Sequence, residues 1–368
     1  MSKHLKLTLK NASNKPDLIL VTLVILLTIF GVIMVGNASV VEAYRDFGDK
    51  FYYFKLQAQW AGLGFLAFGL ASFFNYRFLR KLAAPLMILA IIFLILVLIP
   101  GVGTKALGAR RWLGFGGFSF QPAEFAKFAL IVYLAAFLSN KKKFLPFLVL
   151  IAVLVGLIMF EPDLGTTVIV VAIGVLVYFV SGASVWQIAL IGILGLVGGA
   201  GLIFSSPYRR QRILTFLNPT HDPLGASYHI RQVLIALGSG GLFGLGLGQS
   251  RQKYEYLPEV TTDSIFAVIA EETGFIGGVL VLLVFLLFIW RGFKLAKQSP
   301  DEFSQLLVVG VTAWIGLQAL INLAAMVALV PLTGIPLPFI SYGGSSLVLA
   351  LVGAGVMINI SKHRVVKK

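Results

Sequence analysis

Ten apolar segments run through this 368-residue chain, and most of them are 16 to 20 residues long. They lie at 18–37, 57–74, 82–100, 121–138, 144–160, 164–181, 185–204, 264–290, 303–329 and 345–360. A helix needs about 20 mainly apolar residues to cross a bilayer core. The segments are continuously apolar, whereas the strands of a membrane β-barrel alternate. The sequence therefore predicts an all-α polytopic membrane protein with ten transmembrane helices.

The composition supports a membrane protein and removes several other classes. Hydrophobic residues make up 58% of the chain and charged residues 12%, whereas soluble domains average about 25% charged residues. A disordered chain and a collagen-like repeat are excluded on the same grounds. Cys is absent, which excludes thiol catalysis, disulfides and Cys-based metal sites. The first apolar segment exceeds the roughly 7–15-residue core of a signal peptide, so we expect an uncleaved helix; Gly36, Ala38 and Ser39 leave cleavage as the alternative.

The positive charges predict the side of the membrane on which each connection lies. The formal net charge is +15, and cytoplasmic connections carry the excess of Lys and Arg. The two tails and the even-numbered connections hold 17 of these residues, against six in the shorter odd-numbered connections. We therefore expect both tails, 1–17 and 361–368, in the cytoplasm. The charge is explained by membrane orientation, so no nucleic-acid partner is expected.

The seventh connection, 205–263, is far longer than a turn and is expected outside the cytoplasm. Ile230, Val233, Leu234 and Leu237 recur within it at helical spacing, as in a helix that lies along a membrane interface. Connections of this length are usually functional or disordered, and this periodicity favours a structured cap over the outer end of the bundle. The whole chain, 1–368, is expected to form a single integral membrane domain.

Ionisable residues inside apolar segments are costly to bury and tend to mark function. Glu124 and Lys127 lie three residues apart in the fourth segment, so they share one face of the helix. They form either a structural ion pair or part of a polar cavity for a charged headgroup. Glu271 and Glu272 in the eighth segment need a cation from another helix, for which Lys127 is a candidate.

Arginines concentrate in the outer connections, where the positive-inside rule disfavours them. Because guanidinium matches the geometry of phosphate, these clusters suggest a lipid-linked diphosphate ligand. Headgroup anchoring beside Trp112 is the alternative for the first two. The candidate ligands are Arg110, Arg111, Arg209, Arg210 and Arg212.

Acidic residues of the same face cluster at 255–263, directly before the eighth segment. Asp263 lies where a helix N-cap is expected, so capping is the structural alternative to a catalytic role. The Gly-rich runs at 238–241 and 244–248 follow no strand, which favours turns or tight packing over a dinucleotide site. The segment 331–346, rich in Pro and Gly, is predicted to be an irregular entry to the last helix.

These residues carry a resemblance to the SEDS family of shape, elongation, division and sporulation proteins, which includes FtsW, RodA and SpoVE. The resemblance covers nearly the whole chain, and 246–250 looks more like FtsW or SpoVE, whereas 334–338 looks more like RodA. We favour the FtsW side. The motifs are Arg110-Arg111-Trp112, 121–124 with Lys127, Pro162-Asp163-Leu164-Gly165-Thr166-Thr167, Asn218-Pro219 through Asp222-Pro223, 255–263 and 340–346.

Family membership would imply a peptidoglycan glycosyltransferase that polymerises lipid II, an undecaprenyl diphosphate-linked disaccharide peptide, outside the bacterial cytoplasmic membrane. Its usual partner is a class B penicillin-binding protein, a transpeptidase that cross-links the glycan. Asp263 falls on the essential outer Asp of the family, and Glu124 and Lys127 fall on its paired charges.

The implied reaction inverts an α-linked donor into a β-linked product, so a single displacement suffices. Asp263 is the predicted general base, and Glu255 is a substrate contact and the next candidate for the base. The arginines would stabilise the departing diphosphate. The sequence identifies no cofactor, although a divalent cation, Mg or Mn, bridging a carboxylate to the diphosphate is chemically reasonable.

Two other function classes stay open. A flippase for a lipid-linked precursor would also need a charged cavity and arginines, but it would need them across the whole membrane, and this chain concentrates them in the outer third. A solute or ion transporter is disfavoured because the sequence has no obvious inverted repeat or pair of broken helices.

Overall fold

The computed structural model describes residues 15–106, 109–115, 118–140, 143–218, 225, 227–254 and 256–365. Most of these residues are helical. The helices are α1 (Leu18–Ala38), α2 (Val40–Phe47), α3 (Tyr52–Phe73), α4 (Arg77–Leu98), α5 (Pro122–Leu138), α6 (Phe144–Phe160), α7 (Leu164–Val180), α8 (Val185–Phe204), α9 (Pro207–Leu217), α10 (Tyr228–Ser239), α11 (Ile265–Lys297), α12 (Glu302–Met326) and α13 (Gly344–Ser361). The strands are β1 (Gly103–Ala106), β2 (Ala109–Phe115) and β3 (Phe118–Phe120).

Each of the ten predicted apolar segments coincides with one of the longer helices, namely α1, α3 to α8 and α11 to α13. Within the described residues, α1, α4, α8, α11, α12 and α13 are long and apolar enough to cross a membrane. The chain is therefore a multi-pass membrane protein with a mainly helical fold. The number of ten crossings stays a prediction.

The prediction of a purely α-helical chain is wrong between α4 and α5. Here the three strands form an antiparallel sheet in the order β1-β2-β3, and Leu113 pairs with Gly103 on one side and with Phe120 on the other. The sheet lets a connection outside the helices satisfy its own backbone hydrogen-bonding groups. Arg110 and Arg111 thus lie on the central strand.

The long helix α11 is broken near its start. Gly274 has φ 71° and ψ −169°, which separates two helical pieces, whereas the sequence predicted one continuous segment. The first piece is buried on all sides from Ile265 to Glu272. The second piece exposes Phe275 and Ile276, so it has the lipid-facing surface of a membrane span.

The Gly-rich run at 240–248 packs into this break. The backbone N–H groups of Leu245 and Gly246 donate to the carbonyls of Glu271 and Glu272, each at 3.0 Å. A Cβ on Gly244 would come within 2.1 Å of the Glu272 carbonyl. The sequence left turns and tight packing as alternatives for this run, and the structure shows tight packing with left-handed backbone at Gly244 and Gly246.

The beginning of α1 and the end of α13 meet at one end of the bundle. The backbone N–H of Asp17 donates to Ser361 Oγ at 2.9 Å. The Asp17 carboxylate pairs with Arg291 at 2.8 Å and with Arg364 at 3.3 Å. The two ends of the membrane domain therefore share one face, and the assignment of that face to the cytoplasm stays the prediction from the charge pattern.

The first residues of several helices meet at the opposite end. The backbone N–H of Gln121, at the start of α5, donates to Ser345 Oγ at the start of α13, at 3.2 Å. The N–H of Tyr342, just before α13, donates to the carbonyl of Thr261, just before α11, at 2.8 Å. The irregular segment that the sequence predicted before the last helix is confirmed, and it packs against the residues that lead into α11.

Two helices, α9 and α10, lie within the seventh connection. Helix α10 buries Ile230, Val233 and Ala236 and packs against α11. The helix predicted from the spacing is confirmed, although Leu234 is 39% exposed. Residues 219–224, which include part of one family motif, lie outside the described residues.

Candidate active site

Asp263 lies in the connection between α10 and α11, and its side chain is buried, with 8% of the residue exposed. Thr262 Oγ1 donates to its Oδ1 atom at 3.2 Å. The N-cap of α11 is Ser264, and this helix start has no side-chain cap. The alternative role of Asp263 as a helix cap is therefore wrong, and its carboxylate is available for chemistry.

The surroundings of Asp263 make its carboxyl group a weaker acid than usual. Burial raises the pKa of Asp263 to about 7, and the negative charge of Glu259 adds to the rise. The hydrogen bond from Thr262 and the positive charge of Arg212 oppose it. A general base works best when its pKa lies near the operating pH, so this pKa suits proton abstraction near neutrality.

The segment between α12 and α13 forms one wall of the site. Gly334 has φ +70°, and a Cβ built on it would lie 3.9 Å from Asp263 Oδ2, so its backbone faces the carboxylate. Ser341 Oγ donates to the Thr262 carbonyl. The two segments are thereby held together around Asp263.

Helix α12 supports this wall with two buried amides. The Asn322 amide nitrogen donates to the backbone carbonyls of Asp263 and Ile335, each at 2.8 Å. The Gln318 amide nitrogen donates to the carbonyl of Pro336 at 3.0 Å. Neither residue was predicted from the sequence, although two amides four residues apart in an apolar segment are a recognisable signal.

The predicted pair of Glu124 and Lys127 is confirmed. Lys127 Nζ lies 2.6 Å from Glu124 Oε1, and both side chains are 2% exposed. Lys127 also donates to Gln318 Oε1 at 2.8 Å, and its ammonium lies over the Trp314 ring at 5.4 Å from the centroid. The pair is thus connected through Gln318 to the wall of the Asp263 site.

A cavity of about 410 Å³ is lined by residues of α9 and α10 and by Leu332, and two of its lining residues interact with Asp263 or its neighbour. His229 Nε2 is 2.7 Å from the hydroxyl of Ser264, the residue after Asp263, and Arg212 Nη1 donates to the Leu332 carbonyl at 2.9 Å. Burial, together with Arg212, lowers the pKa of His229 to about 4, so this imidazole is neutral near pH 7. The lining residues are Gln211, Arg212, Thr215, Phe216, His229, Ile230 and Leu332.

The predicted arginines separate into different environments. Arg212 lines the cavity. Arg111 instead donates from Nε to the Glu161 carbonyl at 2.9 Å and from Nη2 to the Pro162 carbonyl at 2.6 Å, so it joins β2 to the α6–α7 turn. Arg209 donates to the Leu202 carbonyl near the end of α8 at 2.7 Å.

The remaining predicted positions are less informative. Arg110 is partly buried on β2, Arg210 is exposed on α9, and Glu255 lies outside the described residues. Across the described ranges, no group of three or more acidic or His side chains is arranged to hold a metal ion.

The prediction that Lys127 neutralises Glu271 or Glu272 is wrong. Lys253 Nζ lies 3.1 Å from Glu272 Oε1, and the Glu271 carboxylate accepts hydrogen bonds from the Ser250 hydroxyl and the Arg251 backbone N–H. These donors come from the long connection, which folds back onto α11, whereas the prediction considered other helices. The two carboxylates therefore anchor that connection.

The comparisons with known proteins agree with this architecture. The model of the cell cycle protein family of FtsW, RodA and SpoVE matches residues 17–366. The chain belongs to this family. Stage V sporulation protein E of Bacillus subtilis (strain 168) is 46% identical over 356 residues, which cover 95% of this chain and 97% of that protein. The probable peptidoglycan glycosyltransferase FtsW of Geobacter sp. (strain M18) is 40% identical, with coverage of 94% and 96%.

Solved structures of family members share the fold. A chain from a peptidoglycan synthase complex that coordinates polymerization and crosslinking matches with a TM-score of 0.78 at 32% identity, over 95% of this chain and 98% of that chain. The rod shape determining protein RodA of Thermus thermophilus matches with a TM-score of 0.69 at 31% identity, over 96% and 98%. The predicted resemblance to FtsW, RodA and SpoVE is confirmed.

Proposed function

We propose that the chain is a peptidoglycan glycosyltransferase that polymerises lipid II at the outer face of the bacterial cytoplasmic membrane. Two relatives are named probable peptidoglycan glycosyltransferase FtsW. The observation that carries the proposal is the buried carboxylate of Asp263, on which the positive charge of the cavity-lining Arg212 acts. A carboxylate base with a cation close enough to act on it is what a displacement at a diphosphate-linked sugar needs.

The proposed reaction is one inverting displacement. A sugar 4-hydroxyl attacks the anomeric carbon of the diphosphate-linked sugar, and Asp263 accepts the hydroxyl proton. The new C–O bond forms as the bond between the anomeric carbon and the diphosphate oxygen breaks, and the electron pair leaves with the lipid diphosphate. Such general-base assistance contributes about 10²–10⁴-fold to the rate.

Arg212 is the cation best placed to stabilise the leaving diphosphate, because it lines the cavity and its charge acts on Asp263. Positive charge directed at a developing anion is often the largest contribution to catalysis. Neutral His229 adds a polar group that suits a sugar hydroxyl. A divalent cation, Mg or Mn, would find the Asp263 carboxylate at this site, and the steps above do not depend on it.

Polymerisation in detergent tests the proposed function. The purified chain, alone and with a co-purified class B penicillin-binding protein, is given lipid II, and glycan strands are measured on gels. A flippase would form no glycan strands in either sample, because it only moves lipid between two leaflets and detergent offers no second leaflet. If no glycan strands form in either sample, the proposal is contradicted. Asp263→Asn should lower polymerisation by about 10²-fold or more. Near-normal synthesis by the folded variant would remove Asp263 as the base and make Glu255 the next candidate.

The partner we propose is a class B penicillin-binding protein whose single membrane helix packs on α11, because α12 has no exposed residue from Phe303 to Met326. The glycines at the start of this helix are not open to a partner, because Gly274 contacts the backbone of the Gly-rich run and Gly278 faces Phe266 within α11. The open surface instead consists of exposed side chains such as Ile276 and Leu280. Photo-crosslinkers at these two positions should capture the partner, whereas capture only from α1 and α3 would contradict the placement.

A further inference from the structure

Two amide side chains of α12 stand between the buried ion pair and Asp263. Gln318 and Asn322 are each 1% exposed, and their spacing of four residues places them on one face of the helix. Neither is part of the proposed chemical step. Their hydrogen bonds nevertheless connect the Glu124–Lys127 ion pair with the backbone around Asp263.

The orientation of the Gln318 amide is set by its partners. Its oxygen accepts from Lys127 Nζ at 2.8 Å and from Trp314 Nε1 at 2.9 Å. Its nitrogen donates to the Pro336 carbonyl at 3.0 Å. A flipped amide would turn its NH₂ group toward two donors and its oxygen toward a carbonyl, so this arrangement has one favourable state.

The Asn322 amide is also held by hydrogen bonds, but among the described residues only those from its nitrogen are formed. Its nitrogen donates to the carbonyls of Asp263 and Ile335, whereas its oxygen is buried without a hydrogen-bond partner in the part of the chain that the structure describes. Leaving a buried acceptor unpaired destabilises the folded state. Such a cost is expected where the two donated bonds are needed for something other than stability.

The pinned carbonyls belong to the wall of the active site. Ile335 and Pro336 directly follow Gly334, whose backbone faces Asp263 Oδ2. The second hydrogen bond of Asn322 holds the backbone of Asp263 itself. The amides therefore hold the carboxylate-bearing residue and the wall opposite its side chain in one arrangement.

We propose that Gln318 and Asn322 are positioning residues, which couple the Glu124–Lys127 pair to Asp263 by pinning the backbone around the carboxylate. This inference rests on the proposed role of Asp263 as the general base. Geometry errors of about 1 Å in a reacting group can cost about 10²-fold in rate, so loosening this backbone should reduce turnover more than lipid II binding.

The test compares Asn322→Asp with a matched control at the opposite end of the bundle. Asn359 is 3% exposed, its nitrogen donates to the Ser72 carbonyl at 2.9 Å, and its oxygen accepts from the Tyr76 N–H at 3.0 Å. Asn322→Asp should lower kcat for polymerisation about 10-fold or more at unchanged KM. It should also move the acid limb of the pH–rate profile to higher pH, because an added negative charge raises the pKa of a nearby carboxyl group. Asn359→Asp should lose stability without moving kcat or the profile.

Two results with these variants would overturn the inference. One is a folded Asn322→Asp variant with wild-type kcat and profile, and the other is an Asn359→Asp control that changes both equally. If Asn322→Asp does not fold, Gln318→Glu is tested instead. This variant keeps the two hydrogen bonds that the Gln318 oxygen accepts and loses the bond that its nitrogen donates to Pro336. A wild-type pH–rate profile of Gln318→Glu would also overturn the inference. Asp263→Asn is assayed in parallel, so failure of the base assignment appears as an active Asp263→Asn variant and is distinguished from failure of the positioning role.

Discussion

The backbone of Gly244 lies directly against the backbone of Gly274, at the point where α11 is broken. A Cβ on Gly274 would lie 2.3 Å from the Gly244 nitrogen, and both residues have positive φ, +71° and +82° respectively. The contact allows the Gly-rich run to bond the carbonyls at the end of the short first helix of α11. Asp263 lies two residues before the first residue of that helix, so the glycine pair helps to set the position of the candidate active site.

Substitution of Gly244 should therefore destabilise the domain. Gly244→Ala combines a left-handed backbone with a clash against the Glu272 carbonyl, which should cost about 2 kcal/mol or more in the free energy of unfolding. Gly195→Ala on α8 is the control, because its Cβ would meet nothing within 4 Å, and it should be neutral or stabilising by up to about 1 kcal/mol. Thermal unfolding in detergent measures both. Equal unfolding temperatures would contradict the packing argument.

The pH dependence of polymerisation should report the ionisation of Asp263. Its pKa is raised to about 7, and the base must be deprotonated, so the rate should rise with pH and level off above about pH 7. Glu259→Gln removes a negative charge that raises this pKa, so its acid limb should move to lower pH. Initial rates across pH 5 to 9 check the shift, and an unchanged profile in Glu259→Gln would argue against the interaction.

The free energy of unfolding should also depend on the ionisation of Asp263, but it should fall with rising pH, whereas the polymerisation rate should rise. Between the ordinary Asp pKa of 3.8 and the raised value of about 7, the folded chain holds a proton that the unfolded chain releases. The free energy of unfolding therefore falls as the pH rises through this window. Asp263→Asn removes this penalty, so it should be more stable than wild type at pH 8 and similar to it near pH 4. Unfolding temperatures at the two pH values test the sign.

Loss of one member of the buried ion pair should be costly. Lys127→Ala leaves Glu124 buried without its cation, which typically costs about 3–5 kcal/mol. Exchanging the two residues should restore folding better than activity, because the ammonium would then no longer meet Gln318. Lys55→Ala is the control, since Lys55 is 62% exposed in its pair with Asp49 and exposed pairs contribute about 0–1 kcal/mol. A fully stable and active Lys127→Ala variant would show that the pair is dispensable.

Arg111 and Arg212 should respond differently to replacement by Lys. Arg111 uses two nitrogens on two carbonyls, and a single ammonium cannot reproduce that fork, so Arg111→Lys should lower stability with little change in lipid II affinity. Arg212→Lys, at the cavity, should weaken lipid II binding and lower the polymerisation rate. Binding to labelled lipid II and thermal unfolding separate the two outcomes, and equal losses of affinity would place both arginines on the substrate.

Local features of the sequence were enough to predict most elements. An apolar segment of about 20 residues is helical in a membrane wherever its neighbours lie, because lipid offers no other partners for backbone groups. The same locality explains the confirmed pair of Glu124 and Lys127, since three residues of separation place both on one face of a helix. The spacing of Ile230 and Val233 predicted α10 on the same basis.

Contacts between distant segments were decided by the tertiary structure. Asn322 bonds to Asp263 across 59 residues of the chain. The cation that pairs with Glu272 is Lys253, which lies in a connection, whereas a cation from another helix was expected. The break in α11 at Gly274 depends on Gly244, which lies 30 residues earlier. A helix that is apolar on all sides does not indicate which face meets which neighbour. The neighbours of Asp263, and hence its burial and raised pKa, exist only once the helices have packed.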